Sequence, residues 1–137
     1  METANTTLDS PAYHCGRLLA VLEEAQQVYA FHQYGERLKV SIVQRGYSGA
    51  AATPKTVLGR MFRVANTVHL PRAGKYLNLE AEAIGHVLGE LGGMPMRLTS
   101  DQQADFGLGF LQQKGRIRQH WKDHKSPEGI SDEEYAA

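Results

Sequence analysis

Basic side chains are the residues of this sequence best placed to do chemistry, and they are distributed unevenly. Eight of them fall between positions 37 and 79, where no acidic residue occurs: Arg37, Lys39, Arg45, Lys55, Arg60, Arg63, Arg72 and Lys75. Because the formal net charge of the whole chain is zero, this segment is a local concentration of positive charge. Such a concentration could bind a polyanion such as nucleic acid. The alternative is that the charges merely segregate on a solvated surface.

A second basic cluster lies near the C-terminus. It contains only one acid, Asp123, among the cations Lys114, Arg116, Arg118, Lys122 and Lys125. Arg116 and Arg118 would point about 160° apart on an ideal helix, so at least one of them is predicted to contact protein. Cations near the C-terminus of a helix are also favoured by the helix dipole, which explains this cluster equally well.

Two arginines of the first segment have a spacing that suits a phosphate backbone. Arg60 and Arg63 lie one helical turn apart and are flanked by Thr56 and Thr67. Side chains of these types bind phosphate oxygens along a strand. The sequence predicts no stacking platform of aromatic residues interleaved on a sheet, so the pattern indicates backbone binding without base readout. The candidate nucleic-acid-binding residues are Arg45, Lys55, Arg60, Arg63, Arg72, Lys75, Lys114, Arg118 and Lys122.

Residue types that support catalysis are sparse. His14 and Cys15 are neighbours, but adjacent residues on a helix do not face each other, so a buried thiol beside a polar histidine is predicted. His120 and His124 could share a helix face and bind a metal, although no glutamate completes a metalloprotease motif and a solvated cationic helix end is the alternative. No phosphate loop or nucleophile elbow occurs. We therefore expect no enzymatic activity, no metal and no cofactor.

Length and composition limit the possible architectures. A chain of 137 residues, with 42% apolar and 22% charged residues, suits one globular domain. No apolar run is long enough to span a membrane, and the first residues do not resemble a secretory signal. The single cysteine cannot form an internal disulfide, which favours a reducing, cytoplasmic location.

The periodicity predicts an all-α fold, a compact bundle of about five helices. Ser-Pro and Thr-Pro pairs at 10–11 and 53–54 signal helix starts, and Thr99 with Gln102 resembles a capping box. The predicted helices are one from Pro11 to before Gly35, a short one over 41–47, one that starts at Pro54 and is stopped by Pro71 and Gly74, one over 76–91 and one after Thr99. Gly46, Gly49 and the alanines that follow predict a close-packed turn. We predict a disordered segment over 1–9, a single domain over 10–125 and an acidic disordered tail over 126–137.

Several faces of these helices are predicted from their spacing. The first helix would bury Tyr13, Leu18, Leu22, Ala25 and Tyr29. The third would bury Val57, Met61, Val64, Ala65 and Val68, and would expose Thr56, Arg60, Arg63, Asn66 and Thr67. The fourth stripe is Leu77, Ala81, Ile84, Leu88 and Leu91, and the fifth is Phe106, Phe110, Ile117 and Trp121. Gly107, Gly109 and Gly115 would allow close approach of another helix.

Three stretches, in this order, resemble a known family. The first stretch is Ser10–Tyr13 with Gly16–Glu23. The second is Arg45–Ala51 with Thr53, Pro54, Val57 and Leu58. The third comprises Gln102, Gln103, Phe106, Leu108–Phe110, Gln112 and Gln113. Together they cover about residues 10 to 120. They resemble the C-terminal region of the large subunit of the type I-C CRISPR Cascade complex. A chain that begins just before this region resembles the small subunit, which in type I-C systems is made separately from an internal start.

The resemblance implies an all-α subunit that does not cut nucleic acid. It implies more than one copy along the belly of the complex, packed against the crRNA-bound backbone, where it helps to hold the target and displaced DNA strands. The implied partners are the large subunit, the backbone subunits, a second copy of the chain, crRNA and target DNA. Three alternative hypotheses about the function remain: a pure protein-interaction scaffold, a free-standing helical nucleic-acid-binding protein, and a metal-dependent hydrolase that uses His120 and His124.

Overall fold

The protein is helical over most of the part that the computed structural model describes, residues 10–124 without the His124 side chain. This part contains no strand, which confirms the predicted all-α class. The helices are α1 (Pro11–Tyr34), α2 (Ile42–Ala52), α3 (Pro54–Val64), α4 (Leu70–Ala73), α5 (Asn78–Leu91) and α6 (Ser100–His124). The predictions for 1–9 and 126–137, and the position of Lys125, lie outside the described residues.

Side-chain caps begin three of these helices. The Ser10 hydroxyl accepts a hydrogen bond from the Tyr13 backbone N–H at 3.1 Å. Ser41 and Gln44 form a capping box at the start of α2, and the Thr99 N–H donates to the Gln102 side chain at 2.8 Å before α6. Each cap satisfies backbone groups that the first turn of a helix leaves unpaired. The predicted start signals at Ser10 and Thr99 are therefore confirmed.

Helix α2 extends further than its sequence indicated. The predicted turn at Gly46 and Gly49 is wrong, because α2 continues to Ala52. A β-carbon at Gly46 would stand 2.4 Å from Cε of Met61, and one at Gly49 would stand 3.1 Å from Cγ2 of Val57. The glycines therefore allow α3 to pack closely on α2 rather than breaking the helix.

The chain from Pro54 to Leu77 is almost continuously helical, although its geometry changes. A π-helical turn, Ala65–His69, follows α3, and a 3-10 turn, Gly74–Leu77, follows α4. Pro71 lacks an N–H, and its ring would clash with the carbonyl of residue 67 in a regular α-helix. The wider π turn accommodates the proline, so the helical path passes Pro71 and ends only at Gly74. Of the two predicted stops, Gly74 is therefore confirmed and Pro71 is wrong.

Helix α1 is the centre of the bundle. Residues 12–25 are all buried, including Arg17, Glu23 and Glu24, because α5, α6 and the helices of the 42–77 region pack around α1. The predicted apolar stripe of α1 is confirmed as buried, but its other side is buried as well. No helix among residues 10–124 is long and apolar enough to cross a membrane.

Backbone contact joins α1 to α6 at two glycines. A β-carbon at Gly16 would stand 1.9 Å from the Phe106 carbonyl oxygen, and one at Gly109 would stand 2.0 Å from that of Tyr13. Both positions therefore require glycine. The predicted close approach is confirmed at Gly109. It is wrong at Gly115, where a β-carbon would meet nothing within 4 Å.

Most predicted core faces are also confirmed, with local differences. Leu77, Ile84 and Leu91 of the fourth stripe and Phe106 and Trp121 of the fifth are buried. On the third helix the polar residues Thr56, Arg60, Arg63, Asn66 and Thr67 are exposed as predicted. Val64 of the third helix and Ala81 of the fourth are exposed instead of buried, and Leu58 is buried in the face of the third helix.

Candidate nucleic-acid interface

Three charged side chains of α1 are buried, and each has a partner. Glu23 accepts hydrogen bonds from the Ser41 hydroxyl at 2.7 Å and from Nζ of Lys114 at 2.6 Å. Glu24 accepts from Nε1 of Trp121 at 2.7 Å. Buried carboxylates are costly unless they are paired in this way. The central helix therefore places negative charge in the core that neighbouring cations must balance.

Arg17 is the third buried charge. Its Nε donates to Oε1 of Gln113 at 3.0 Å, and its Nη1 contacts both Nδ1 of His14, at 3.0 Å, and the Glu90 carboxylate. The Arg17 hydrogen bond is the main cause that lowers the pKa of Glu90 below its ordinary value. This cluster connects α1, α5 and α6.

Two cations of the C-terminal cluster contact this buried region, Lys114 from a partly buried position and Arg116 from the exposed surface. Lys114 pairs with Glu23 and is half-buried, so its ammonium is held within the domain. Arg116 donates to Gln113 at 3.3 Å and to the Tyr13 hydroxyl at 3.5 Å. This confirms the prediction that one of Arg116 and Arg118 makes a contact within the protein. Arg118 and Lys122 are exposed.

The first basic segment is arranged differently. Its first member, Arg37, lies 3.6 Å from the Glu24 carboxylate. The six candidate cations that follow are all exposed, and none forms an ion pair with another residue of the described range: Arg45, Lys55, Arg60, Arg63, Arg72 and Lys75. Their side chains are therefore available to an external anion.

Helix α3 presents two of these cations on a face free of core contacts. Arg60 and Arg63 are exposed, and the opposite side of α3 is anchored by Pro54 and Leu58, which are buried. The Thr67 hydroxyl, however, donates to the Arg63 carbonyl at 2.7 Å. Thr67 is therefore not free to act as the flanking phosphate donor that the sequence suggested.

An aromatic cluster lies where the 65–77 region packs on the end of α1. The His32 and Tyr76 rings are stacked, with centroids 4.1 Å apart and an interplanar angle of 20°. The Tyr29 and His69 rings lie 4.7 Å apart. The pairing was missed at the sequence level because His32 and Tyr76 are distant in the chain. The dipeptide Lys75-Tyr76, an aromatic beside a cation, is the local signal that could have indicated it.

Both histidines of this cluster have a nitrogen without a hydrogen bond. Nε2 of His32 and Nδ1 of His69 are buried and unpaired within the described residues. An unsatisfied buried polar atom typically costs about 1–3 kcal/mol. Burial also lowers the pKa of His69 below its ordinary value, so His69 is neutral at pH 7 and adds no charge to the surface.

Groups that could support catalysis are not arranged for it. Cys15 is completely buried, at 0% exposure, and desolvation raises the pKa of its thiol to about 12. The predicted buried thiol is confirmed, and His14 beside it is buried too. His120 packs against Trp121, with ring centroids 4.8 Å apart. Within residues 10–124, leaving aside the His124 side chain, no three His, Cys, Asp or Glu residues are grouped as metal ligands.

A cavity of about 200 Å³ opens between α1, α5 and α6. Apolar groups make up most of its wall, among them Val21, Leu79 and Ile117, and Glu24 and Arg116 also line it. Such a lining suits an apolar side chain better than a phosphate.

Comparison with known families gives one match. A family model described as "CRISPR-associated protein (Cas_Csd1)" matches residues 1–118, most of the chain. No protein of curated function matches the sequence.

Proposed function

Because the chain belongs to the Cas_Csd1 family of CRISPR-associated proteins, we propose that it is a non-catalytic small subunit of a type I-C Cascade complex. In this role it packs along the crRNA-bound backbone beside the large subunit and a second copy of itself. It stabilises the target and displaced DNA strands of the R-loop through contacts to their phosphates. No metal or cofactor takes part.

The observation that carries this proposal is the set of six exposed, unpaired cations between residues 45 and 75. We call Arg45, Lys55, Arg60, Arg63, Arg72 and Lys75 the cationic track. From Arg60 to Arg72 the helical path is about 18 Å long at 1.5 Å per residue. At about 3.4 Å per nucleotide, this length corresponds to roughly five phosphates of one strand.

Phosphate contact without base readout fits the type of residue in the track. Arginine forks bind phosphate oxygens in pairs, and lysine adds a mobile point charge. Neutralising the backbone releases counterions, so affinity should fall steeply as salt rises. No acidic residue occurs between residues 37 and 79. A strand bound along this segment would therefore not be repelled by a carboxylate of the segment itself.

A second candidate function is a scaffold that contacts only proteins. Helix α6 favours it, because Leu108 and Leu111 are exposed there, Leu111 at 67%. The cavity between α1, α5 and α6 could accept a partner's apolar side chain. In this alternative the cations of the track meet acidic patches on neighbouring subunits.

The test is a double charge reversal, Arg60→Glu with Arg63→Glu, in the assembled complex. We expect apparent affinity for target DNA, measured by gel shift, to fall by roughly tenfold or more. The matched control is Lys39→Glu with Arg97→Glu, two exposed cations outside the candidate set, which changes net charge equally. The control variant should retain more affinity for target DNA than the Arg60→Glu, Arg63→Glu variant.

The two candidate functions predict different failures of the α3 variant. If the subunit still assembles but R-loop formation is lost, the track binds nucleic acid. If size-exclusion chromatography shows that the variant subunit leaves the complex, the scaffold function is favoured. Unchanged assembly and unchanged R-loop formation would contradict the assignment of the track.

A further inference from the structure

The most exposed part of the aromatic cluster is Tyr76. Its side chain is 54% exposed although one ring face is covered by His32 at a centroid distance of 4.1 Å. The exposure therefore lies on the other ring face and the ring edge. An aromatic face open to solvent beside a phosphate-binding track is the arrangement that lets a base stack.

The backbone that carries Tyr76 is anchored on both sides. Ala73 and Leu77 are buried, and the 3-10 turn between them packs on α1. The Gly74 N–H donates to the Leu70 carbonyl and closes the end of α4. The ring of Tyr76 is thus presented from a packed segment, and little conformational entropy would be lost when a ligand stacks on it.

Positive charge adjoins the same ring. Nζ of Lys75 lies 5.7 Å from the centroid of the Tyr76 ring, at the outer limit of a cation–π contact. Arg72 is exposed four residues earlier, on α4. Because the lysine stem is flexible, its ammonium can move to a phosphate when a base approaches the ring.

We propose that Tyr76, stacked on His32 and flanked by Lys75 and Arg72, is a stacking site for an unpaired nucleobase of a single strand whose phosphates follow the cationic track. The proposal rests on the proposed function, because it needs a strand on the track. It extends that function from backbone contact alone to contact with one base face. Stacking of this kind tolerates any base, so it adds affinity without sequence preference.

Tyr34 offers a matched comparison on the same surface region. It is more exposed than Tyr76, at 67%, and its ring meets Tyr29 edge-on at 6.4 Å. No parallel ring contacts it among residues 10–124, and an exposed acid, Glu36, lies two residues away. Tyr34 therefore has the same chemistry without the flat stack and without adjacent cations.

The experiment measures binding of two fluorescent single strands to the full chain by anisotropy at low salt. One is an oligothymidine, and the other is an abasic strand of the same length and charge. Tyr76→Ala should weaken oligothymidine binding by roughly tenfold and leave abasic binding unchanged. Tyr34→Ala should leave both unchanged. Tyr76→Phe, which keeps the ring, should bind like the wild type.

The outcomes separate this inference from the function on which it rests. If the wild type binds both strands equally, or if Tyr76→Ala has no effect, the stacking site is refuted while backbone binding survives. If neither strand binds, both proposals fail for the isolated chain. If Tyr76→Phe loses as much affinity as Tyr76→Ala, the hydroxyl rather than the ring is responsible. A circular dichroism melt of each variant identifies losses caused by unfolding.

Discussion

The two basic stretches of this protein resemble each other in sequence and differ in structure. In the C-terminal stretch, Lys114 is bound to the buried Glu23, and Arg116 reaches Gln113 and Tyr13. In the 45–75 stretch, every candidate cation is exposed and has no carboxylate partner within residues 10–124. A run of cations can therefore balance charge in a core or bind a ligand.

The central helix decides between these outcomes. Helix α1 carries Glu23 and Glu24 in positions buried by its neighbours, and a buried carboxylate must find a donor. Lys114 lies within reach because α6 crosses α1 closely, and Arg37 lies within reach because it follows α1 directly. The cations of the 45–75 stretch are exposed, and among the described residues none of them forms an ion pair with these carboxylates. The difference predicts that mutations where α6 contacts α1 change stability, whereas mutations in the cationic track change binding.

The largest loss of stability should come from Gly109→Ala, where α6 contacts the backbone of α1. The added β-carbon would stand 2.0 Å from the Tyr13 carbonyl oxygen, so two backbones must separate. We expect the free energy of unfolding to fall by about 3 kcal/mol in urea denaturation. Gly115→Ala is the control. It has open space and should gain about 0.5–1 kcal/mol from helix propensity. Equal losses of stability in the two variants would show that the close contact between α1 and α6 at Gly109 does not contribute to the stability of the fold.

A smaller loss should follow Lys114→Met. The variant keeps most of the side-chain volume but takes the ammonium away from the Glu23 carboxylate, 2.6 Å distant. Leaving that buried carboxylate with fewer donors should cost about 2 kcal/mol of stability. Lys122→Met, on the exposed side of the same helix, should change stability by less than about 0.5 kcal/mol. If the two variants are equally stable, the proposed distinction between the two kinds of cation is wrong.

The smallest effect concerns a single cation of the track. Lys55→Ala removes an exposed ammonium and preserves the backbone bond from the Lys55 N–H to the Pro95 carbonyl at 3.0 Å. Stability should change by less than about 0.5 kcal/mol. The slope of log affinity against log salt for a single strand should become shallower by about 0.7, the value for one phosphate contact. An unchanged slope would show that Lys55 makes no phosphate contact and does not belong to the cationic track.

Much of the fold follows from local sequence. Ser10-Pro11 and Thr99 with Gln102 predict helix starts correctly because capping depends on residues within one turn. The exposed face of α3 follows from the spacing of Arg60, Arg63 and Asn66 for the same reason. Gly46 and Gly49 misled the prediction, because glycine marks either a turn or a close helix contact, and only the packing of α3 distinguishes them.

What the sequence determined by itself is the class of the fold, the positions of the main helices and the presence of two cationic stretches. These features depend on side-chain types and on the helical period. Only the tertiary structure decided that residues 12–25 of α1 are buried on every side, that Lys114 contacts the buried Glu23 and that His32 stacks on Tyr76. Each of these depends on residues far apart in the chain, and their contact is set by the close approach of whole helices, which no local pattern records.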